Sequence, residues 1–272
     1  MTSADHDHAS RAAFMASALA AGTGRRVAGP QRLADAAVAR TATDLCTDTV
    51  QSILNTALVA ERIAATLYYA ALTTPAVMRS SGLAGRSGNP NDPGLPPGGN
   101  PQHVRFLQAA LDAELKHAAL LSAAGAQSPY TRFYFPPTTF QRMGTSVDPG
   151  SFLGVVELLE TTLSGMYVAA AEHLLQLGRH DLAARAIQLM GVETEHRTLG
   201  RVIAGVRPPN DLTLAPAPFA CVSDVDTVLR PFLTGRRFLF AHDSSAAIAL
   251  PSAAGAKRVI GKYGTRRLGR FL

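Results

Sequence analysis

The sequence predicts an all-α fold built on a four-helix bundle, from its composition, the spacing of its apolar residues and the length of its uninterrupted segments. Hydrophobic residues make up 47% of the 272-residue chain and charged residues only 17%. Alanine is abundant, which favours helices because it loses no side-chain entropy on helix formation. Four long segments carry apolar residues at three- and four-residue steps, the period of one helix face. Helices of such length are typical of bundles.

The first two predicted helices are separated by a long connection. The first helix covers residues 47–72. Its apolar face comprises Ile53, Leu54, Leu58, Ile63, Leu67 and Tyr68. Residues 81–101 are so rich in Gly and Pro that no regular element is expected there, and the second helix follows over residues 102–124. A second connection, residues 126–149, is expected to pack on the bundle because of its aromatic side chains. These are Tyr130, Phe133, Tyr134 and Phe135.

The third and fourth predicted helices each begin at an aspartate that suits the N-cap position. The third covers residues 149–177 and is preceded by Asp148, and the fourth covers residues 181–206 and begins at Asp181. A short apolar piece, residues 225–233, is predicted to be a fifth helix that packs against the bundle. From residue 241 onward we expect an extended, partly ordered tail.

These segments divide the chain into four parts. The predicted parts are a weakly ordered N-terminal segment (1–44), the four-helix bundle (45–207), a C-terminal extension with a short helix (208–240) and a basic tail (241–272). No run of eighteen apolar residues exists, which predicts that no helix spans a membrane.

The compartment is left open by the sequence. Residues 10–15 resemble a twin-arginine export signal that lacks its second arginine, and the acidic Asp5 and Asp7 precede it. The chain is therefore either exported through a degenerate signal or cytoplasmic. The two cysteines, Cys46 and Cys221, match no zinc-binding spacing, and a disulfide between them is neither excluded nor indicated.

The net charge of +6 comes from the C-terminal tail. Six cations and no acid lie between residues 257 and 271: Lys257, Arg258, Lys262, Arg266, Arg267 and Arg270. One interpretation is a solvated terminus. The other is an arm that docks on an acidic partner, such as nucleic acid, lipid or another protein.

Acids and histidines on the four predicted helices follow a regular order. The order is Glu, Glu-x-x-His, Glu, Glu-x-x-His, given by Glu61, Glu114 with His117, Glu160, and Glu193 with His196. Residues three apart on a helix share a face, so each Glu-x-x-His pair can direct both side chains to one point. Four carboxylates and two imidazoles form the ligand set of di-iron and di-manganese bundles. Two divalent ions would balance the four carboxylates, which otherwise would have to take up protons.

A repeated spacing supports this set. Tyr68 follows Glu61 by seven residues, and Tyr167 follows Glu160 by seven residues. The chain therefore resembles two copies of one helix pair, which gives a pseudo-twofold site. The tyrosines are predicted to lie next to the ligands or in the core rather than to carry radicals. Glu157 lies one turn before Glu160 on the same face, and the tyrosine spacing favours Glu160 as the ligand.

At these residues the chain resembles the ferritin-like superfamily, and within it the branch that includes plant and bacterial desiccation-related proteins. The stretches that carry the branch resemblance are residues 54–61, residues 208–211 and residues 225–229. The resemblance covers roughly residues 45–235. It implies a ferritin-like four-helix bundle, here with long inter-helix loops and an extended C-terminal tail.

The resemblance implies a di-metal protein that reacts with dioxygen or peroxide. The expected cofactor is a pair of iron ions, with manganese or a mixed manganese/iron pair as alternatives. The expected activity is that of an oxidoreductase of the ferroxidase, peroxidase or catalase type. The alternatives are a non-enzymatic stress or desiccation protein whose metal is structural, and an iron store or the cargo of a protein compartment. A homo-oligomer is compatible with the sequence, and iron storage in a hollow shell would require self-assembly.

Overall fold

The computed structural model describes residues 46–78, 101–146, 148–210, 214, 216–236, 238, 245–261 and 263. Within these ranges four long helices form the bundle: α1 (Val50–Thr73), α2 (Pro101–Ala123), α3 (Phe152–Gln176) and α4 (His180–Ile203). A single helical turn, Pro75–Met78, follows α1. The four helices begin and end within three residues of the predicted bounds. The predicted all-α bundle is confirmed. The predicted N-terminal segment (1–44) lies outside the described residues.

The bundle is built from two helix pairs. Helix α1 packs against α2, helix α3 packs against α4, and α1 also contacts α3. Only residues 177–179 separate α3 from α4. So short a connection makes neighbouring helices antiparallel. The two pairs therefore face each other across α1 and α3, and the core lies between them.

Helix α3 lies at the centre of the hydrophobic core. It is the one helix in the described ranges that is long and apolar enough to cross a membrane. However, 94% of its most apolar stretch is buried inside the bundle. Its hydrophobicity is thus matched by its neighbours in the fold, as in the core helix of a bundle.

The predicted N-caps of α3 and α4 are wrong. Ser151 caps α3, and its side chain accepts a hydrogen bond from the Gly154 amide at 3.2 Å. Asp148 instead begins a turn in which its carbonyl accepts a hydrogen bond from the Ser151 amide at 3.0 Å, so the helix starts later. In α4, Arg179 occupies the cap position without a side-chain hydrogen bond, and Asp181 lies in the first turn. There its negative charge still favours the helix N-terminus.

The aromatic connection between α2 and α3 packs on the bundle, as predicted. Its strand β1 (Arg132–Phe135) pairs in antiparallel fashion with β2 (Ala246–Ala249). Phe133 and Phe135 point into the core and are fully buried. Because alternate residues of a strand point to opposite faces, this side of β1 is buried while the other carries less buried residues.

The C-terminal part is more regular than expected. Helix α5 (Asp226–Thr234), preceded by a 3-10 turn (Val222–Val225), packs against β1 and lies where the sequence predicts a fifth helix. The tail was expected to be extended, but it forms β2 and then α6 (Ala253–Ile260), which packs on α2 and α1. The buried Gln108 of α2 donates to the carbonyl of Val259 at 2.7 Å. Among the six tail cations, only two lie within the described residues: Lys257 and Arg258.

A disulfide joins the start of α1 to the C-terminal extension. It links Cys46 to Cys221 across 175 residues of sequence, with Cα atoms 5.5 Å apart. Next to it, the Asp48 carboxylate accepts a hydrogen bond from the Ser223 amide at 3.0 Å. The Asp48 carbonyl lies 2.8 Å from Nε2 of His173 on α3. The region before α1 is thus held both to the extension and to the central helix.

Removal of this disulfide should destabilise the fold. We expect Cys221→Ser to lower the free energy of unfolding by roughly 2–5 kcal/mol, because the unfolded chain gains the freedom that a long cross-linked loop lacks. Urea unfolding measures the difference. Reducing agent should lower the stability of the wild-type protein to that of the variant and leave the variant unchanged. Equal unfolding midpoints for the wild-type protein and the variant would contradict this.

Candidate metal centre

Six side chains from the four bundle helices meet in the middle of the core. Each helix contributes in the predicted order, α1 with Glu61, α2 with Glu114 and His117, α3 with Glu160, and α4 with Glu193 and His196. The four glutamates are fully buried, and the two histidines are 9% and 6% exposed. All six residues selected from the sequence therefore lie together.

The six residues form two overlapping groups, in each of which one ligand atom per residue lies within 4.8 Å of the others. The first group is Glu61, Glu114, His117 and Glu193, and the second is Glu114, Glu160, Glu193 and His196. Glu114 and Glu193 belong to both groups. The remaining residues divide symmetrically, with one glutamate and one histidine unique to each group. This is the arrangement expected for two cations that share two carboxylates.

Both histidines turn the same ring nitrogen toward the carboxylates. Nδ1 of His117 lies 3.0 Å from Oε1 of Glu193 and 3.3 Å from Oε2 of Glu61. Nδ1 of His196 lies 2.7 Å from Oε1 of Glu114 and 3.4 Å from Oε2 of Glu193. The Nδ1 atoms are thus the nitrogens that could bind metal.

Unpartnered polar atoms are concentrated at this point. The described residues contain eight buried side-chain atoms without a hydrogen-bond partner, and six of them belong to this cluster. They are both oxygens of Glu114, both oxygens of Glu193, Oε2 of Glu160 and Nδ1 of His196. A buried oxygen or nitrogen without a partner is costly. These atoms converge without bonding one another, which fits ligands around a cation, and oxygen and imidazole ligands suit iron and manganese.

The two tyrosines reach across the bundle. Tyr68 of α1 donates its hydroxyl hydrogen bond to Oε1 of Glu160 on α3 at 2.5 Å. Tyr167 of α3 donates in return to Oε1 of Glu61 on α1. Each tyrosine therefore holds the glutamate of the opposite helix, not the one seven residues before it. The two carboxylates held in this way are those of Glu61 and Glu160. Each of them belongs to only one of the two groups.

Glu157 lies outside the cluster and has its own partners. It accepts a hydrogen bond from Arg197 at 2.7 Å and lies 3.4 Å from Nη1 of Arg201. Arg201 is fully buried and also donates to the carbonyl of Pro209 at 2.6 Å. Two arginines thus neutralise the charge of the Glu157 carboxylate. In this respect Glu157 differs from Glu160, whose carboxylate lies in the cluster. Sequence reasoning missed both arginines, although their four-residue spacing on α4 places them on one face.

The pKa values of the cluster reflect the burial of four carboxylates beside two histidines. Burial raises the pKa values of Glu114 and Glu160 well above the usual range, and the charge of Glu193 raises both further. Burial would also raise the pKa of Glu193, but its contacts with His117 and His196 lower it to about 2. Burial would lower the pKa of His117, but Glu61 and Glu193 outweigh it and raise this pKa to about 10. Without cations, the cluster is therefore balanced by protons.

The tyrosines remain hydrogen-bond donors under these conditions. Burial and the charge of Glu160 raise the pKa of Tyr68. Burial and the charge of Glu61 raise the pKa of Tyr167. Neither hydroxyl can therefore ionise easily, and each keeps the proton that it donates to its carboxylate.

Comparison with known families agrees with this geometry. The family model of the ferritin-like domain matches residues 48–205, a range that includes all four bundle helices and all six residues of the cluster. The chain belongs to the ferritin-like domain family. No curated protein and no solved structure gives a significant match. The ferritin-like domain and its buried cluster are together compatible with a di-metal site.

The shared position of Glu114 predicts a graded loss of metal. After reconstitution with Fe(II) or Mn(II), we expect about two ions per chain in the wild-type protein. Glu114→Gln should lose most of both because it removes a ligand of each group, whereas Glu160→Gln should retain about one. Elemental analysis of the desalted protein measures this.

Glu195→Gln is the matched control, because Glu195 is exposed on α4 between the members of the second Glu-x-x-His pair. It should bind metal like the wild-type protein. The metal-free Glu114→Gln variant should also melt close to the metal-free wild-type protein, since Gln resembles the protonated acid. A Glu114→Gln variant with full metal content would contradict the assignment.

The stability of the metal-free protein should fall as the pH rises. Folding raises the pKa values of Glu114 and Glu160 above 4.5, and that of His117 from 6.5 to about 10. Above the unfolded pKa values, the folded state therefore binds more protons than the unfolded state, and stability decreases with pH. Glu193 adds no slope above about pH 5 because its folded pKa is lowered.

Thermal unfolding between about pH 6 and about pH 9 measures this slope. The melting temperature of the metal-free protein should decrease across the range. Metal should raise the melting temperature most at the alkaline end, because cations then replace protons that are no longer available. A metal-free melting temperature that increases with pH would contradict the prediction.

Proposed function

We propose that this protein is a di-metal oxidoreductase that oxidises Fe(II) or reduces dioxygen or peroxide. The observation that carries the proposal is the convergence of four buried carboxylates and two imidazoles, with six buried atoms left unpartnered. A purely structural core would gain nothing from such a cluster, because apolar residues of similar volume stabilise a bundle at lower cost. A site built for reactive cations explains it.

Each group would hold one ion. The first ion would be bound by Glu61, Glu114, His117 and Glu193, and the second by Glu114, Glu160, Glu193 and His196. Two iron ions, two manganese ions or one of each would supply electrons to dioxygen or peroxide one at a time. Four carboxylates balance the charge of two divalent ions, so the filled site is neutral in a core that tolerates no net charge.

The glutamates have different degrees of freedom, which suits a site whose charge changes. Glu61 and Glu160 are each held by a tyrosine hydroxyl. Glu114 and Glu193 have no hydrogen bond on either oxygen. The two unique carboxylates therefore keep their orientation, while the two shared ones can rotate as the charge between them changes.

The bundle also excludes water from the site. The four glutamates are fully buried, and α1 and α3 surround them with apolar side chains. In such an environment electrostatic interactions are stronger and side reactions with solvent are suppressed. The six residues and the two tyrosines thus provide positioned ligands in a water-poor site.

The disulfide favours the exported alternative for the compartment. Disulfides persist in oxidising environments and are rare in the cytosol. A disulfide-bonded member of this family fits a stress- or desiccation-related role outside the cytosol. Most cations of the basic tail lie outside the described residues.

Aerobic oxidation of Fe(II) tests the proposal. The wild-type protein should form Fe(III) and consume dioxygen faster than buffer, and Glu114→Ala should reduce both rates to those of buffer. Glu195→Ala, the exposed neighbour on α4, should leave them unchanged. Tyr167→Phe keeps every ligand and should retain metal while losing about 10- to 100-fold in rate, since partners of metal ligands contribute on that scale.

The same assay separates the alternatives. A wild-type protein that is loaded with metal but neither oxidises Fe(II) nor consumes dioxygen or peroxide would exclude the proposed activity. It would favour a metal that serves to stabilise the bundle. Continued uptake of iron far beyond two ions per chain would instead favour storage.

A further inference from the structure

A narrow pocket reaches the metal centre from one side. Its lining includes the buried Tyr68 and His196 and the partly exposed Phe106 and Leu199. It therefore adjoins the group that contains Glu160 and His196. His117, the histidine of the other group, does not line it.

The pocket offers almost no hydrogen-bonding partner. Tyr68 and His196 are its only polar lining side chains. The Tyr68 hydroxyl donates to Glu160, and Nδ1 of His196 faces Glu114 at 2.7 Å, which leaves Nε2 of His196 as the one ring nitrogen that could bond a molecule in the pocket. The remaining lining residues are apolar. A water molecule, a peroxide or a hydrated ion would lose hydrogen bonds on entry, whereas an apolar diatomic molecule has none to lose.

The pocket also has a strict size limit. Its volume is about 10 Å³, which is near the minimum for one water-sized molecule. The pocket is therefore suited to the smallest apolar molecules.

Helices α3 and α4 approach each other closely at one glycine in the pocket lining. A Cβ atom at Gly200 of α4 would lie 2.9 Å from Cγ1 of Val156 on α3. Both residues line the pocket. Any larger side chain at position 200 would therefore push Val156 aside or narrow the space between the helices. At Gly191, on the same helix, a Cβ atom would meet nothing within 4 Å.

We propose that this pocket admits dioxygen to the His196 side of the metal centre and that Gly200 and Val156 set its width. The inference rests on the proposed oxidoreductase function and adds its oxidant, dioxygen rather than peroxide, and the residues that select it. Metal cations do not use this route, because an ion would have to lose its hydration in an apolar passage.

The first experiment needs no metal and no activity. Dissolved dioxygen is paramagnetic and speeds the relaxation of methyl groups beside it, which NMR measures on the metal-free, full-length protein under oxygen pressure. The methyl groups of Val156, Leu153 and Leu199 should relax several-fold faster than those of Leu163, which is buried but does not line the pocket. Equal enhancement at all four residues would overturn the inference.

Two matched pairs of variants test the width. Gly200→Ala should reduce the oxygen effect on the pocket methyl groups, and Gly191→Ala should not. Val156→Ala should increase the effect at Leu153 and Leu199, whereas Val155→Ala, which removes the same atoms from the adjacent buried position, should not. Gly200→Ala and Val156→Ala are expected to change the oxygen effect in opposite directions. Either variant alone therefore tests the inference if the other folds poorly.

The second experiment uses the metal-loaded protein. Gly200→Ala should raise the KM for dioxygen severalfold and leave kcat at saturating dioxygen nearly unchanged, and Val156→Ala should lower this KM. Any turnover with hydrogen peroxide, which would have to enter by another route, should respond to neither variant. A KM for dioxygen that is the same in all four variants would overturn the inference even if the protein is active.

The two failures are distinguishable. Selective oxygen contact in the metal-free pocket, combined with a metal-loaded protein that consumes no dioxygen, would support the pocket and reject the proposed function. Dioxygen consumption without selective contact at the pocket methyl groups would support the function and reject the pocket.

Discussion

The structure is dominated by the cost of placing four carboxylates in the centre of a hydrophobic core. Each of them is fully buried, and a buried negative charge is stable only with a proton, a cation or a positively charged partner. Glu157, on the same helix as Glu160, obtains two arginines. Glu61, Glu114, Glu160 and Glu193 share only two histidines. This imbalance distinguishes a structural ion pair from a cluster that is compatible with a di-metal site within one bundle.

The same constraint explains why the cluster could be recognised from sequence. A helix repeats every 3.6 residues, so a Glu-x-x-His pair has its geometry determined locally. Two such pairs and two single glutamates on four amphipathic segments already specify the layout of the bundle. The prediction of Glu160 rather than Glu157 depends on a tyrosine seven residues further on. In the structure Glu160 lies in the cluster and Glu157 pairs with Arg197.

Features that depend on distant contacts were beyond local patterns. The Cys46–Cys221 disulfide joins residues 175 positions apart, and no spacing rule connects them. Strand β2 and helix α6 form in a segment whose composition resembles a loose tail, because β1 and α2 provide the surfaces on which they pack. The predicted start of α3 is wrong for a related reason. Asp148 takes part in a turn before the helix, and local sequence patterns did not predict this turn.

The crossed tyrosines have a consequence for how the two halves of the bundle depend on each other. Tyr68 and Tyr167 each anchor a carboxylate of the opposite helix pair. In a duplicated unit each tyrosine could have bonded to a glutamate of its own helix pair. Here both hydrogen bonds run between the two pairs. A shift of α1 along the axis of α3 would break both hydrogen bonds together. The two bonds therefore fix the register of α1 against α3. A change in the sequence or position of one helix pair would therefore weaken the anchoring of a carboxylate in the other pair.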